Sequence, residues 1–214
     1  MSLHDINKDR REYQRSFLDE GSIINNPLQL IDEWLKVAKE HAASDYNAFV
    51  LSTVNAQGAP SSRVVLLRGL ENGGLVFFTN YDSDKGRDIA GNPNVSANWY
   101  WPSLERQIRV HGLARKISES KSDAYFASRP RESQIGALAS DQSSSVTRKE
   151  LEQKVADLTQ KFEGKEIVRP DHWGGYLIKP SYFEFWQGRS GRLHDRIAFS
   201  VDATENWHSK RLSP

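Results

Sequence analysis

Two arginines and a histidine fall at alternate positions near the end of the chain, within Glu184–Arg196, which reads EFWQGRSGRLHDR. The residues just before, Tyr182–Trp186, alternate as a half-buried strand does, with Phe183 and Phe185 on one side and Tyr182, Glu184 and Trp186 on the other. Gly188 and Gly191 bracket a short loop, as in a hairpin. If the chain leaves that loop extended, Arg192, His194 and Arg196 share one face. A guanidinium is a rigid fork for phosphate or carboxylate, and imidazole exchanges a proton near neutral pH. The other reading is an exposed hairpin whose charges pair with Asp195 and Glu184. Composition alone leaves both open.

Other basic residues stand where a phosphate could be held. Arg63 and Arg68 bracket the apolar run Val64–Leu67. Five apart, they lie on opposite faces of a regular strand, either to serve two anions or simply to end a core strand in solvent. Lys85 falls in the first turn of a helix that Asp82 or Ser83 would cap, where backbone N–H groups favour an anion. Tyr125 and Arg129 are four apart on one helix, and Ser133 opens the next. These three could close on one phosphate, or only cap a helix–turn–helix corner. Gln107, Gln142 and Ser143 alone say no more than polar surface. His4, His41, His111, His172 and His208 lack metal-ligand spacing, so no metal is expected. The sequence has no GxSxG, no Walker loop and no GxGxxG after a strand.

The elements that must carry these groups are mostly strands. Pro27–Ala43 is an amphipathic helix with the stripe Leu30, Ile31, Trp34, Leu35 and Ala38. Strands are predicted at Ala48–Val54, Arg63–Leu67 and Leu75–Thr79, separated by turn signals at Asn55–Gly58 and Glu71–Gly74. More follow at Val95–Trp101, Arg106–Ile117, Gly175–Trp186, Arg196–Val201 and Trp207–Leu212. Helices are predicted at Ser83–Ala90, Ser120–Ser128, Pro130–Leu138 and Thr147–Phe162, with a serine-rich loop at Ser140–Ser145. The pattern is one mainly β, barrel-like domain over residues 1–214 with helices around it, and residues 1–25 form a polar arm.

With 214 residues and 37% hydrophobic content, the chain can build a real core. Lys plus Arg is 29 and Asp plus Glu 28, so bulk attraction to nucleic acid or an anionic membrane is not indicated. There is no cysteine, which excludes disulfides, thiolate metal sites and cysteine nucleophiles. The first residues, MSLHDINKDRREYQ, carry no apolar segment of a secretory signal, and no run approaches the ~20 apolar residues of a membrane span. A soluble, cytoplasmic protein is expected.

The blocks Arg10–Tyr13 (RREY), Arg63–Arg68 (RVVLLR), Phe77–Asn80 (FFTN), Leu104–Gln107 (LERQ), Tyr125–Gly136 (YFASRPRESQIG), Gln142–Ser144 (QSS), Trp173–Gly175 (WGG), EFWQG and RLHDR occur in one order across nearly the whole chain. In these blocks the sequence resembles the pyridoxamine 5′-phosphate oxidases. The resemblance implies an FMN-binding split β-barrel with surrounding helices, a homodimer with FMN at the subunit interface. It also implies oxidation of pyridoxamine or pyridoxine 5′-phosphate by O2 to pyridoxal 5′-phosphate, releasing hydrogen peroxide and, from the amine, ammonia. By the same resemblance Arg63, Val64, Val65, Leu66, Leu67, Arg68, Phe78, Thr79, Lys85, Gln107, Gln142, Ser143, Trp186 and Arg196 are cofactor-binding positions. Arg10, Tyr13, Arg68, Tyr125, Arg129, Ser133, Arg192 and His194 are substrate-binding, with Arg192 and His194 catalytic and residues 1–25 a mobile arm over the substrate. Arg68 stands where the family often has Lys, and Asp84 where many members have Arg. An acidic Asp84 beside the cofactor phosphate implies weaker FMN binding. The competing readings are another split-barrel flavin reductase, which the phosphate set around Arg129 argues against, and a non-catalytic FMN or pyridoxal-phosphate binding protein, which RLHDR argues against.

Overall fold

Turn chemistry sets out the first strands. The computed structural model describes residues 12–19, 21, 26–41 and 45–214. In it β1 (Ala48–Val54) and β2 (Pro60–Leu66) pair antiparallel, Ala48 opposite Leu66 and Val54 opposite Pro60. The loop between them is held by Asn55, whose Oδ1 accepts from the N–H groups of Gln57 at 3.0 Å and Ala59 at 2.9 Å. β3 (Gly69–Glu71) and β4 (Gly74–Asn80) form the next hairpin, with Asn72 and Gly73 both at positive φ, as a two-residue turn matching strand twist requires. At three residues β3 is too short to show alternation, which is why the sequence does not announce it.

The rest of the sheet is β5 (Asn94–Trp101), β6 (Arg106–Lys116), β7 (Trp173–Gln187), β8 (Asp195–Val201) and β9 (Trp207–Arg211). In hydrogen-bonding order the strands run β2-β1-β5-β6-β7-β4-β3, with β8 on β7 and β9 on β8. The chain is mainly β with flanking helices, as expected. It divides into two compact units, and β5, β6 and β7 each contribute residues to both.

The first unit comprises the described residues up to Tyr46, with Asn98–Val110 and Tyr182–Pro214. Its helix α1 (Pro27–His41) buries the predicted stripe Leu30, Ile31, Trp34, Leu35 and Ala38. Trp34 meets Phe185 edge-on at 5.2 Å. Phe183, Phe185 and Phe199 are fully buried where β7 pairs with β8.

The second unit comprises Asn47–Ala97 and His111–Ser181. Here β4 pairs with the start of β7, from Leu75 opposite Ile178 to Asn80 opposite Trp173. Phe77 is buried between Phe49 and Tyr176, at 6.1 and 5.5 Å. Four helices belong to this unit. Ser83 caps α2 (Asp84–Gly91), Ser118 caps α3 (Glu119–Ser128), and Thr147 with Glu150 forms a capping box on α5 (Arg148–Lys161). Pro130 precedes α4 (Arg131–Ala139) as its cap rather than its first residue. Phe126, Ile135, Ala137, Ile167 and Trp173 make a buried cluster, onto which Leu158 and Phe162 from the end of α5 pack. Among the described residues, no helix is long and apolar enough to cross a membrane and no group of acidic and histidine side chains could hold a metal ion.

Candidate functional site

In the second unit, a cavity of about 850 Å³ opens between β2, β4, α3 and α4 and the loop after α4. That is within the size range of small-molecule sites. Val64, Val65 and Leu66 line it from β2, and Phe78, Thr79 and Asn80 from β4.

One group of donors surrounds Lys85. Its side chain is only 8% exposed, and Nζ donates to Ser83 Oγ at 3.1 Å and Gln142 Oε1 at 2.9 Å. Burial, and then the charge of Arg63, lower its pKa to about 8. Arg63 is aimed from β2 by hydrogen bonds to Thr53 Oγ1 at 2.6 Å and Ser61 Oγ at 2.8 Å. Thr79 Oγ1 donates to Gln142 Oε1 at 3.4 Å, and the Asp84 N–H donates to Ser143 Oγ at 3.1 Å. Two cations whose charges oppose one another, beside a helix N-terminus, suit a dianion. Asp84 is also at the cavity, and its carboxylate pairs with Arg87 one turn along α2.

A second group comprises Arg68, Tyr125, Arg129 and Ser133. A strand continued through Arg68 would have sent it and Arg63 to opposite faces, yet both line this cavity. The strand stops at Leu66, and the Arg68 N–H turns to the Val76 carbonyl at 2.8 Å, so period-two alternation no longer applies. Arg129 lies 4.4 Å from the ring centre of Trp173, and Tyr125 stacks on Phe78 at 3.7 Å. The buried Nη1 of Arg129 has no hydrogen-bond partner. Burial lowers the Arg129 pKa, and the nearby Arg68 lowers it further. An unpartnered donor on a desolvated guanidinium is costly unless an anion completes it, so this group fits a phosphate.

Leu67 falls outside the cavity lining. Its side chain is buried, its N–H donates to the Asn47 carbonyl, and its carbonyl accepts from Asn47 Nδ2, so the position is core. Gln107 lies on β6 in the first unit and does not line the cavity, and Arg10 lies outside the described residues.

The first unit gathers the remaining predicted residues around Trp186. His194 lies 4.7 Å from its ring, and Tyr13 meets Trp186 at 5.7 Å and His194 at 5.5 Å, both edge-on. The Arg189 N–H donates to His194 Nδ1 at 3.1 Å, so a neutral ring carries its proton on Nε2. Burial, then the charge of Arg192, lower the His194 pKa, while Asp195 opposes them. The extended run expected through Arg192, His194 and Arg196 is not formed. Ser190–Arg192 is a 3-10 turn with Gly191 at φ 60° and Arg192 at φ 61°, and β8 begins only at Asp195. A left-handed backbone there breaks the alternation.

Arg196 donates from Nε to Glu184 Oε1 at 2.8 Å, and Glu184 also takes hydrogen bonds from Arg109 at 3.1 Å and the Tyr182 hydroxyl at 3.0 Å. Glu184 is 2% exposed. Burial raises its pKa, but the bonds from Arg196 and Tyr182 and the charge of Arg109 outweigh that and hold it below the usual range. Glu184 and Trp173 support these groups from outside the predicted site residues, though both sit inside recognisable blocks.

The sequence pattern described as pyridoxamine 5′-phosphate oxidase matches residues 37–162, more than half of the chain. The chain belongs to the pyridoxamine 5′-phosphate oxidase family. That family is one of oxidoreductases, and the pattern of the pyridoxine 5′-phosphate oxidase C-terminal dimerisation region matches residues 173–214. The chain is 51% identical over 213 residues to the pyridoxine/pyridoxamine 5′-phosphate oxidase of Leptospira biflexa serovar Patoc, covering 99% of this chain and 100% of that one. It is 48% identical over 207 residues to the enzyme of the same name from Cytophaga hutchinsonii, covering 96% of each. Among solved structures, PhzG from Burkholderia lata 383 in complex with tetrahydrophenazine-1-carboxylic acid matches at TM-score 0.88 and 29% identity, covering 95% of this chain and 100% of that one. A pyridoxamine 5′-phosphate oxidase-related FMN-binding protein from Nostoc punctiforme matches at TM-score 0.72 and 20% identity over 90% of this chain and 99% of that one, which speaks for the split-barrel fold.

Proposed function

We propose that this family member is an FMN-dependent oxidase of pyridoxine and pyridoxamine 5′-phosphates. In this reading it is a cytoplasmic homodimer with FMN at the subunit interface, and residues 1–214 act as one FMN-binding domain with residues 1–25 as its arm. The observation that carries the reading is a single cavity with two groups of phosphate donors, one around Lys85 and Arg63, the other around Arg129 with its unpartnered Nη1. An FMN-dependent oxidase of a phosphorylated substrate needs two phosphate sites.

Arg63, Lys85, Thr79, Gln142 and Ser143, with the strand Val64–Leu66, are the residues to hold FMN, and the family resemblance adds Trp186 and Arg196 as cofactor-binding positions. When bound, the flavin supplies hydride acceptance from C4′ and the passage of electrons to O2. Arg68, Tyr125, Arg129 and Ser133 bind the substrate phosphate and so fix the position of C4′. Arg192 orients the reacting side of the substrate. His194, whose pKa is lowered by burial and by Arg192, holds the C4′ substituent in place through its Nε2–H.

The test is direct. The purified protein is examined for a flavin spectrum, reconstituted with FMN if colourless, and given pyridoxine 5′-phosphate while hydrogen peroxide and pyridoxal 5′-phosphate are followed. Both products are expected. The PhzG likeness makes a reduced phenazine carboxylic acid the comparison substrate, and faster turnover of that compound would transfer the assignment to it. A protein that cannot be reconstituted with FMN overturns the reading.

A further inference from the structure

Glu105 belongs to the LERQ block, but the reading above gives it no role. It is 3% exposed and ends the turn before β6 with a left-handed backbone, φ 56°. Its Oε2 accepts two consecutive backbone N–H groups, from Gln14 at 2.9 Å and Arg15 at 3.0 Å. Its own carbonyl accepts from the Gly188 N–H at 2.8 Å and from Gln187 Nε2 at 3.2 Å. One residue therefore ties the segment Glu12–Asp19 to the end of β7, where Trp186 stands. The seat is close: a Cβ on Gly188 would come within 2.8 Å of the Tyr13 ring. The segment is anchored again four residues on, where the Leu18 N–H donates to Asp195 Oδ2 at 3.0 Å and Arg211 donates to the Leu18 carbonyl at 3.0 Å.

We propose that Glu105 is a positioning residue whose carboxylate latches Glu12–Asp19 in place and so seats Tyr13 against Trp186 and His194. The segment has neither helix nor strand of its own, so its place is set by what its backbone hydrogen-bonds to. A buried carboxylate taking two charge-assisted bonds is the strongest such anchor among those described for it. The left-handed backbone at Glu105 fits this role, since it turns the side chain toward the segment while the carbonyl serves Gly188. The proposal rests on the reading of Trp186 and His194 as flavin- and substrate-serving residues, and extends it to what holds their cover.

Two variants separate the latch from the turn. Glu105→Gly keeps a residue at ease in the left-handed region and removes the carboxylate, whereas Glu105→Gln keeps the shape and an acceptor oxygen. The first readout is trypsin cleavage after Arg15, followed by mass and independent of any flavin. Glu105→Gly removes both charge-assisted hydrogen bonds, either of which carries a factor of about ten, so it should be cleaved at least about tenfold faster, and Glu105→Gln should be largely protected. The second is steady-state kinetics with pyridoxine 5′-phosphate. Here Glu105→Gly should raise KM about tenfold with FMN affinity unchanged, and Glu105→Gln should restore most of it. Equal protection of Arg15 in Glu105→Gly and wild type overturns the latch. Faster cleavage with unchanged KM and kcat overturns the seating of Tyr13. If wild type has no oxidase activity, the proposed function fails, while protection at Arg15 still decides the latch.

Discussion

Replacing Lys85 with methionine should change the sign of its effect on stability as pH rises. The ammonium is nearly buried and titrates at about 8 instead of 10.5. At 1.36 kcal/mol for each pH unit, keeping it charged in the folded protein costs ~3 kcal/mol. Below pH 8 the lysine is charged folded and unfolded, and the whole cost is present. Between 8 and 10.5 the unfolded chain binds more protons, so stability rises with pH, and above 10.5 the cost is gone. Methionine keeps the apolar stem and removes the charge, but forfeits the bonds to Ser83 and Gln142, at roughly 1 kcal/mol each. Without FMN, Lys85→Met should therefore be more stable than wild type by ~1 kcal/mol at pH 7, roughly 2–4 °C in Tm for a chain of this size. The two should cross at about pH 9 and then reverse. Thermal melts at fixed protein concentration, at pH 7 and 9.5, measure this. Adding FMN at pH 7 should raise Tm in wild type far more than in the variant, because the phosphate is what the buried ammonium lacks. A variant less stable than wild type at pH 7, or a difference that does not move with pH, would refute the argument.

Other substitutions probe the remaining groups. Arg129→Ala should raise KM for pyridoxine 5′-phosphate roughly 10- to 100-fold while leaving FMN affinity within about twofold, as one charge-assisted phosphate contact is lost; kinetics and a flavin titration separate the two. Glu184→Ala leaves the part-exposed Arg109 and Arg196 without their shared carboxylate and should destabilise the protein by about 1–3 kcal/mol in urea denaturation, with Glu184→Gln falling in between. Asp84→Arg removes a carboxylate from the cavity and frees Arg87 from its pair, so FMN should bind the apoprotein more tightly; an unchanged dissociation constant would show that Asp84 does not weaken cofactor binding.

Regular elements were legible because their physics is local. The stripe of α1, the caps of α2 and α5, and the Asn55 turn depend on neighbours a few residues away, and residue types at those spacings announce them. The convergence of Arg63, Lys85, Tyr125 and Arg129 on one cavity depends on pairings far apart in the chain, and only the family resemblance suggested it. Two expectations failed for one reason. Arg68 and Arg192 were both placed by extending strand alternation past the point where the backbone turns, at Leu66 in one case and at Gly191 in the other. Leu67 illustrates a different limit: within RVVLLR nothing local tells a lining leucine from one that packs on the core. Glu184 could be read only as one possible salt-bridge partner, because Arg109 reaches it from another strand.

The glycines near the cavity matter differently to anyone redesigning it. Gly174 and Gly175 follow Trp173, and a Cβ on them would come within 2.2 Å of the Tyr81 hydroxyl and 2.4 Å of Ile117, with Phe78 at 2.9 Å. Any larger residue there must displace the aromatic layer that shapes the cavity. Gly136 also lines the cavity, yet a Cβ added to it meets nothing within 4 Å. The same fold thus offers one position where volume can be added to exclude bulkier substrates and two where it cannot, and a specificity library should begin at Gly136.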